Sequence, residues 1–156
     1  MNNSQGDRAT RSADEPDVVL SLSTVHKMLP LVRQILSEIQ VRHSDLLRLV
    51  PEQTRLERQR RDLSWPERQR RYQIQDEITA AERVLQDAKE ELAGLGVALL
   101  DQETGRVGFP TMVNNRRAYF SWRVNEDGLH SWHFAEESVC RPIPAAWLKE
   151  LALAAK

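Results

Sequence analysis

Two apolar stripes separated by a charged stretch constrain the fold of this chain more than any other feature. Over residues 25–49, apolar side chains recur in alternating steps of three and four residues, the spacing of one helix face. Ser23 or Thr24 is the predicted N-cap of this helix. Pro30 is expected to kink or restart the helix, and Pro51 is expected to break it. The stripe consists of Val25, Met28, Val32, Ile35, Ile39, Leu46 and Leu49.

A second stripe with the same spacing follows the charged stretch. The segment Ser64-Trp65-Pro66-Glu67 has the composition of a helix start, with a Ser cap, an early Pro and a Glu three residues after the cap. It predicts a helix from Trp65 to about Ala93, ended by Gly94 or Gly96. The two stripes together predict an antiparallel hairpin of helices about 40 Å long, packed like a coiled coil. The second stripe consists of Ile74, Ile78, Ala81, Leu85, Ala88, Leu92 and Leu95.

The chain changes character after Gly96, where short strand-like segments alternate with turn signals. Pro144 then starts a short helix predicted to end near Ala155. We therefore expect an α+β fold: a long, coiled-coil-like antiparallel helical hairpin, a small antiparallel β-meander and a short C-terminal helix. The predicted strands are 97–100, 106–109 (closed by Pro110), 118–124 and 129–135, with a turn at Asn114-Asn115. The predicted organisation is a disordered tail over 1–19 and one domain over 20–156, divided into a hairpin (20–95), a meander (96–136) and a helix (144–155).

Composition excludes several classes of protein. The formal net charge of −1 argues against a globally basic nucleic-acid binder. The single cysteine, Cys140, rules out an intramolecular disulfide framework and suits a reducing cytoplasm. The sequence shows no membrane span and no signal peptide, so we expect a cytoplasmic protein without a membrane partner. The near-zero charge is a cancellation, because residues 52–71 carry +3 and residues 73–104 carry −6.

A set of short motifs in the second half of the chain carries a family resemblance. Met28-Leu29-Pro30 and Leu95-Gly96-Val97 precede these motifs in the two helices. The chain resembles an uncharacterised bacterial family, domain of unknown function 2203, over roughly Leu20 to Ile143. The resemblance implies a helical hairpin followed by a small meander, and it implies no activity. The chain departs from the family pattern at 125–128 and at 138–140, where the family tends to have glycines. The motifs are Phe109-Pro110, Ala118-Tyr119-Phe120-Ser121-Trp122-Arg123, Trp132-His133 and Arg141-Pro142-Ile143.

Several possible metal ligands lie near the end of the meander. They are His130, His133, Glu136, Glu137 and Cys140. Because side chains on a strand alternate between faces, His130 and His133 should point to opposite sides of the sheet. His133 remains as a weak metal candidate, and we expect no metal site and no cofactor. A Cys140–His133 nucleophilic pair lacks any accompanying catalytic motif, so the sequence favours a non-catalytic protein.

The predicted sheet has more large aromatic residues than one covered face requires. A four-residue turn at 125–128 would pair Phe120 with His133, and a one-residue bulge would reverse the faces. In either register we expect aromatic side chains on both faces, with one face covered by the Trp147 helix, a second subunit or a ligand. The hypothetical binding residues there are Arg123, Trp122, Trp132, His133 and Arg141.

The charged stretch between the helices carries seven arginines against four carboxylates. The function we place first is a non-catalytic interaction or scaffold module that self-associates through its hairpin or its aromatic sheet, or binds another protein. The alternative is that the arginines bind a polyanion such as nucleic acid, and a small-ligand or metal site at His133 comes third. The arginines are Arg55, Arg58, Arg60, Arg61, Arg68, Arg70 and Arg71.

Overall fold

The structure, a computed structural model, describes residues 18–154. Two long helices are followed by an antiparallel five-stranded sheet in sequential order and a short helix. The predicted tail lies outside the described residues except for Val18 and Val19, and so does the predicted helix end at Ala155. The elements are α1 (Leu22–Arg58), α2 (Trp65–Gly94), β1 (Ala98–Asp101), β2 (Arg106–Val113), β3 (Arg116–Arg123), β4 (Ser131–Phe134), β5 (Arg141–Pro142) and α3 (Ala145–Ala154).

Helix α1 begins earlier and ends later than the sequence predicts. Its N-cap is Ser21, whose Oγ accepts a hydrogen bond from the Thr24 N–H at 3.2 Å, so the predicted caps are wrong by two or three residues. The predicted break at Pro51 is also wrong, because α1 runs unbroken through Pro51 to Arg58. Pro51 is exposed to solvent. Leu56, which follows it in the helix, is fully buried in a core shared with α2, and the packing of Leu56 stabilises the last two turns of α1.

Helix α2 starts and ends close to the predicted positions. The Ser64 Oγ accepts from the Glu67 N–H at 3.5 Å, and Pro66 lies in the first turn, as the sequence predicts. The helix ends at Gly94, and Gly96 takes a positive φ of 80° directly after it. Gly96 therefore supplies the left-handed residue that ends the helix.

The sheet has five strands where the sequence predicts four. Strand β2 continues through Pro110, which was expected to close it. Pro110 pairs with Tyr119 of β3, and its carbonyl accepts from the Leu20 N–H on the other edge at 2.7 Å. The missing N–H of Pro110 thus falls on the side away from β3, where proline is tolerated. The turn predicted at Asn114-Asn115 is confirmed, with φ values of 52° and 61°.

The register of β3 and β4 decides which face holds the aromatic residues. Phe120 pairs with Trp132 and Tyr119 with His133. This differs by one residue from the Phe120–His133 pairing of a four-residue turn, and it is the alternative expected with a one-residue bulge. The aromatic side chains are not divided evenly between the faces, because Tyr119 and His133 are the only paired rings of β3 and β4 on the outer face. The inner face holds Val107, Phe109, Phe120, Trp122, Trp132 and Phe134, which form one core with α1 and α2.

Helix α3 packs on this same inner face rather than covering the outer one. The ring of Trp147 lies 5.4 Å from that of Trp132 and 6.4 Å from that of Phe120, centroid to centroid. The sheet aromatics are thus enclosed between α1 and α3, and they do not form an open patch.

The hairpin has a second, separate core beyond the sheet. The β1–β2 turn reaches α1 at Gln40, which donates to the Glu103 carbonyl at 3.2 Å, and at His43, which hydrogen-bonds Gln102 at 2.8 Å. From His43 to the end of α1 the helix extends roughly 22 Å further. We call residues 46–78 the hairpin end. Its core is Leu49, Leu56, Leu63, Ile74 and Ile78.

Candidate interaction surface at the hairpin end

Two arginines of α2 are tied to carboxylates of α1. The Arg70 guanidinium holds both oxygens of Glu52, at 2.8 and 3.1 Å, and also reaches Glu77 at 3.1 Å. Arg71 binds Glu57 at 2.7 Å. Bidentate guanidinium–carboxylate pairs fix the relative position of their groups, so these contacts clamp the two helices together.

The clamping contacts also keep the carboxylates charged. The hydrogen bond from Arg70 lowers the pKa of Glu52, and the one from Arg71 lowers the pKa of Glu57. The same contacts raise the guanidinium pKa of Arg70 and of Arg71. These two arginines are therefore neutralised within the hairpin and contribute little to any field that a partner would meet.

Apart from Arg48, which pairs with Asp45 at 3.5 Å, the remaining arginines of the hairpin end form no ion pair with a described carboxylate. Within residues 18–154, the side chains of Arg55, Arg58, Arg60 and Arg61 are exposed and form no hydrogen bond or ion pair. The charges of Arg55 and Arg60 help to lower the pKa of Glu52 and of Glu57, but those carboxylates are already bound by Arg70 and Arg71. Arg68 donates from Nε to the Leu63 carbonyl at 3.2 Å, a contact that leaves its charge unbalanced. The unpaired carboxylates of the hairpin end are Asp62, Glu67 and Asp76, fewer than the five unpaired arginines, so a local excess of positive charge faces solvent.

Arg55 and Arg58 also have a structural reason to be where they are. They occupy the last turn of α1, where a positive charge offsets the partial negative charge of the helix C-terminus. Arg60 and Arg61 lie beyond the helix, in the turn before α2, where this reason does not apply.

Two exposed aromatic rings lie on α2 in the same hairpin end. Trp65 is 69% exposed and Tyr72 is 71% exposed. They lie on the side of α2 opposite Ile74 and Ile78, which are buried against α1. In the sequence, Trp65 and Tyr72 are the only aromatic residues near the arginines and form no RNA-binding motif, so the sequence pattern alone does not favour nucleic-acid binding there. Their shared exposed face was not predicted, although the two residues are seven apart and out of phase with the apolar stripe.

The five sheet residues proposed as a binding set are divided between the two faces of the sheet. Trp122 is fully buried and Trp132 is 7% exposed, both on the inner face. Arg141 stacks over Trp132, with its guanidinium carbon 5.5 Å from the ring centroid, and binds Glu137 at 2.8 Å. His133 and Arg123 lie on the outer face instead, as the pairing of their strands requires.

His133 is buried on the outer face, with one ring nitrogen satisfied. Its Nδ1 hydrogen-bonds the Phe134 carbonyl at 2.8 Å, and its Nε2 has no partner among the described residues. The described part of the chain contains no cluster of three or more His, Cys, Asp or Glu side chains that could hold a metal ion. Cys140 is exposed, and its Sγ accepts from Arg106 at 3.4 Å.

Comparison with known proteins places the chain in a family. The family model described as "Uncharacterized conserved protein (DUF2203)" matches residues 19–140. The chain belongs to this family. The match starts before α1, ends just before β5, and so includes the hairpin end. No curated protein and no solved structure matches the chain. None of the helices within residues 18–154 is long and apolar enough to cross a membrane.

Proposed function

We propose that this DUF2203 protein is a non-catalytic interaction module and that its hairpin end binds a polyanionic partner. The observation that carries the proposal is the division of the arginines: Arg70 and Arg71 are neutralised by carboxylates, and Arg55, Arg58, Arg60 and Arg61 are not. A guanidinium with no internal partner keeps its full donor fork for phosphate or sulfate oxygens. The proposed compartment is the cytoplasm, which suits the free, exposed Cys140.

The shape of the hairpin end supports this proposal. The unpaired arginines cluster at the end of the hairpin away from the sheet core, at the end of α1 and in the turn that follows. A rigid arm with its own small core can present these charges to a large partner without a clash with the sheet. Extended polyanions are contacted through many phosphates at once, so such an arm suits them.

Self-association is a second candidate function. The helical stripes that first favoured it pack against each other and against the sheet within one chain, so a second copy would need another surface. The outer side of α1 offers one, because Leu47 is 64% exposed and Val50 is 43% exposed. Sedimentation velocity over a dilution series tests this candidate. A concentration-dependent dimer that Leu47→Ser dissolves would support it, and a monomer at all concentrations would remove it.

A pair of charge-matched variants tests the polyanion proposal on immobilised heparin. The triple variant R58Q/R60Q/R61Q removes three unpaired charges from the hairpin end. The control K27Q/R83Q/K149Q removes three exposed charges elsewhere and has the same net charge. We expect the wild type and the control to be retained at about 50 mM salt and released by about 200 mM. The hairpin variant should elute well before the control, and coincident elution of the two variants would contradict the proposal.

A further inference from the structure

We propose that the polyanion bound by the hairpin end is a single-stranded nucleic acid, whose bases stack on Trp65 and Tyr72 while its phosphates bind the unpaired arginines. The inference rests on the proposed function above and names its substrate class. Its basis is one face of α2, formed by Trp65, Arg68, Gln69 and Tyr72, which we call the aromatic face.

The spacing of the two rings makes them independent platforms on one surface. Seven residues on a helix are close to two full turns, so Trp65 and Tyr72 point the same way and are about 10.5 Å apart along the axis. Arg68 follows Trp65 by three residues and Gln69 precedes Tyr72 by three, so both lie between the rings on this face. A strand that crosses the aromatic face would meet a ring, a guanidinium and a second ring in succession.

The ring of Tyr72 has one fixed neighbour. The Arg71 guanidinium carbon lies 6.0 Å from the Tyr72 ring centroid, the outer limit of a cation–π contact, and Arg71 is itself bound to Glu57 of α1. Tyr72 is 71% exposed, so a base can reach its ring.

The surroundings of the rings favour bases over an acidic protein surface. Protein hot spots lie inside a rim of further contacts that exclude water. Around Trp65 and Tyr72 the exposed residues of the same helix side are Arg68, Gln69 and Asp76, which provide no apolar rim. Isolated rings among polar side chains match instead the stacking platforms of single-strand binders, because every unpaired base offers a flat face. A duplex hides those faces within its own stack and would contact only the arginines.

Fluorescence anisotropy with three probes tests the assignment on the full chain. The probes are a fluorescein-labelled oligothymidylate, the same oligonucleotide in a duplex with oligoadenylate, and labelled poly-L-glutamate. The variants are W65A/Y72A, the conservative W65F/Y72F, and the charge variant R58Q/R60Q/R61Q. Both rings are largely exposed, so the aromatic variants should keep the wild-type unfolding temperature, which is measured as the folding control.

We expect the wild type to bind oligothymidylate more tightly than the duplex or poly-L-glutamate. W65A/Y72A should weaken oligothymidylate binding by about tenfold for each ring and leave duplex binding and the slope of log K against log salt unchanged. W65F/Y72F should retain most of the affinity, and the charge variant should reduce the salt slope by about 2. Quenching of tryptophan fluorescence on binding should be lost in W65F/Y72F, because the other three tryptophans, Trp122, Trp132 and Trp147, lie in or against the core at the sheet.

The other outcomes separate the two proposals. Equal affinity of W65A/Y72A and the wild type for oligothymidylate would overturn the single-strand assignment and leave polyanion binding in place. Poly-L-glutamate bound as tightly as oligothymidylate would overturn it in favour of an acidic protein partner. Binding of none of the three probes at low salt would overturn both this inference and the proposed function.

Discussion

The two ends of the hairpin are built on different principles. Where α1 and α2 meet the sheet, large apolar side chains share one core, and Trp122, Phe109 and Val107 are fully buried. At the hairpin end a core of five residues is supplemented by arginine–carboxylate clamps, and the largest apolar side chains point outward. Aromatic residues are thus structural at one end and exposed at the other.

This difference separates stability from recognition. A buried ring such as Trp122 contributes by packing, whereas an exposed ring such as Trp65 contributes little to folding and is free to contact a partner. The arginines divide in the same way, since Arg70 holds the helices and Arg60 forms no hydrogen bond or ion pair within the described residues. Substitutions at matched residues of the two ends can therefore break or sharpen the comparison.

The largest expected difference is between two tryptophans. Trp122→Ala removes a fully buried ring and should lower the free energy of unfolding by about 3–5 kcal/mol. Trp65→Ala removes a ring that is 69% exposed and should change it by less than about 0.5 kcal/mol. Urea unfolding followed by circular dichroism measures the free energy of unfolding of both variants. Equal decreases would show that Trp65 is packed as tightly as the rings at the sheet.

Leu56→Ala should affect one end of the hairpin alone. Leu56 is fully buried in the small core, so its truncation should cost about 2–5 kcal/mol locally. Because that core does not include the sheet, amide hydrogen exchange should accelerate at Leu49–Ile78 and stay unchanged around Ile35 and Ile39. Uniform acceleration along α1 would mean that the two cores unfold as one unit.

Gly108→Ala should show how tightly the outer face of the sheet is packed. A Cβ at this position would lie 2.8 Å from Cδ1 of Tyr119, so the Tyr119 ring must shift, at a cost of about 1–3 kcal/mol. Gly128→Ala is the control, because a Cβ there meets nothing within 4 Å. Thermal unfolding should separate the two variants, and matching unfolding temperatures would contradict the close contact between Gly108 and Tyr119.

Glu52→Gln should have the smallest effect, and that effect should depend on pH. The Arg70 contact lowers the pKa of Glu52 from 4.5, so its stabilisation is present above that value and is lost as the pH falls through the lowered pKa. The variant should be less stable than wild type by at most about 1 kcal/mol at pH 7, and the difference should disappear in acid. Glu82→Gln, which removes an exposed carboxylate of α2 outside the described ion pairs, should give no such pH-dependent difference.

The sequence predicted the helices well because helix stripes, caps and turns depend on residues that are close together in the chain. The apolar stripes, the Ser64 cap and the Asn114-Asn115 turn each depend on residues a few positions apart. The errors arose where distant contacts decide the outcome. Pro51 stays helical because Leu56 packs against α2. Pro110 stays in its strand because the edge that faces away from β3 accepts a hydrogen bond from the Leu20 N–H.

The candidate site was predicted only in part for the same reason. The arginine cluster is visible in the sequence, but its division into clamped and unpaired members depends on which carboxylates of α1 face α2. The sheet residues do not form one binding face, because neighbours on a strand such as Trp132 and His133 point to opposite faces in any register. The register decides only which of them shares a face with Phe120, and that pairing depends on the loop between β3 and β4.

The central claim is that the hairpin end, and not the sheet, meets the partner. Amide hydrogen exchange of the full chain with and without saturating oligothymidylate tests it directly. The account predicts slower exchange in residues 55–72 and no change in β2, β3 and β4. Slower exchange confined to β3 and β4, with the hairpin end unaffected, would contradict it.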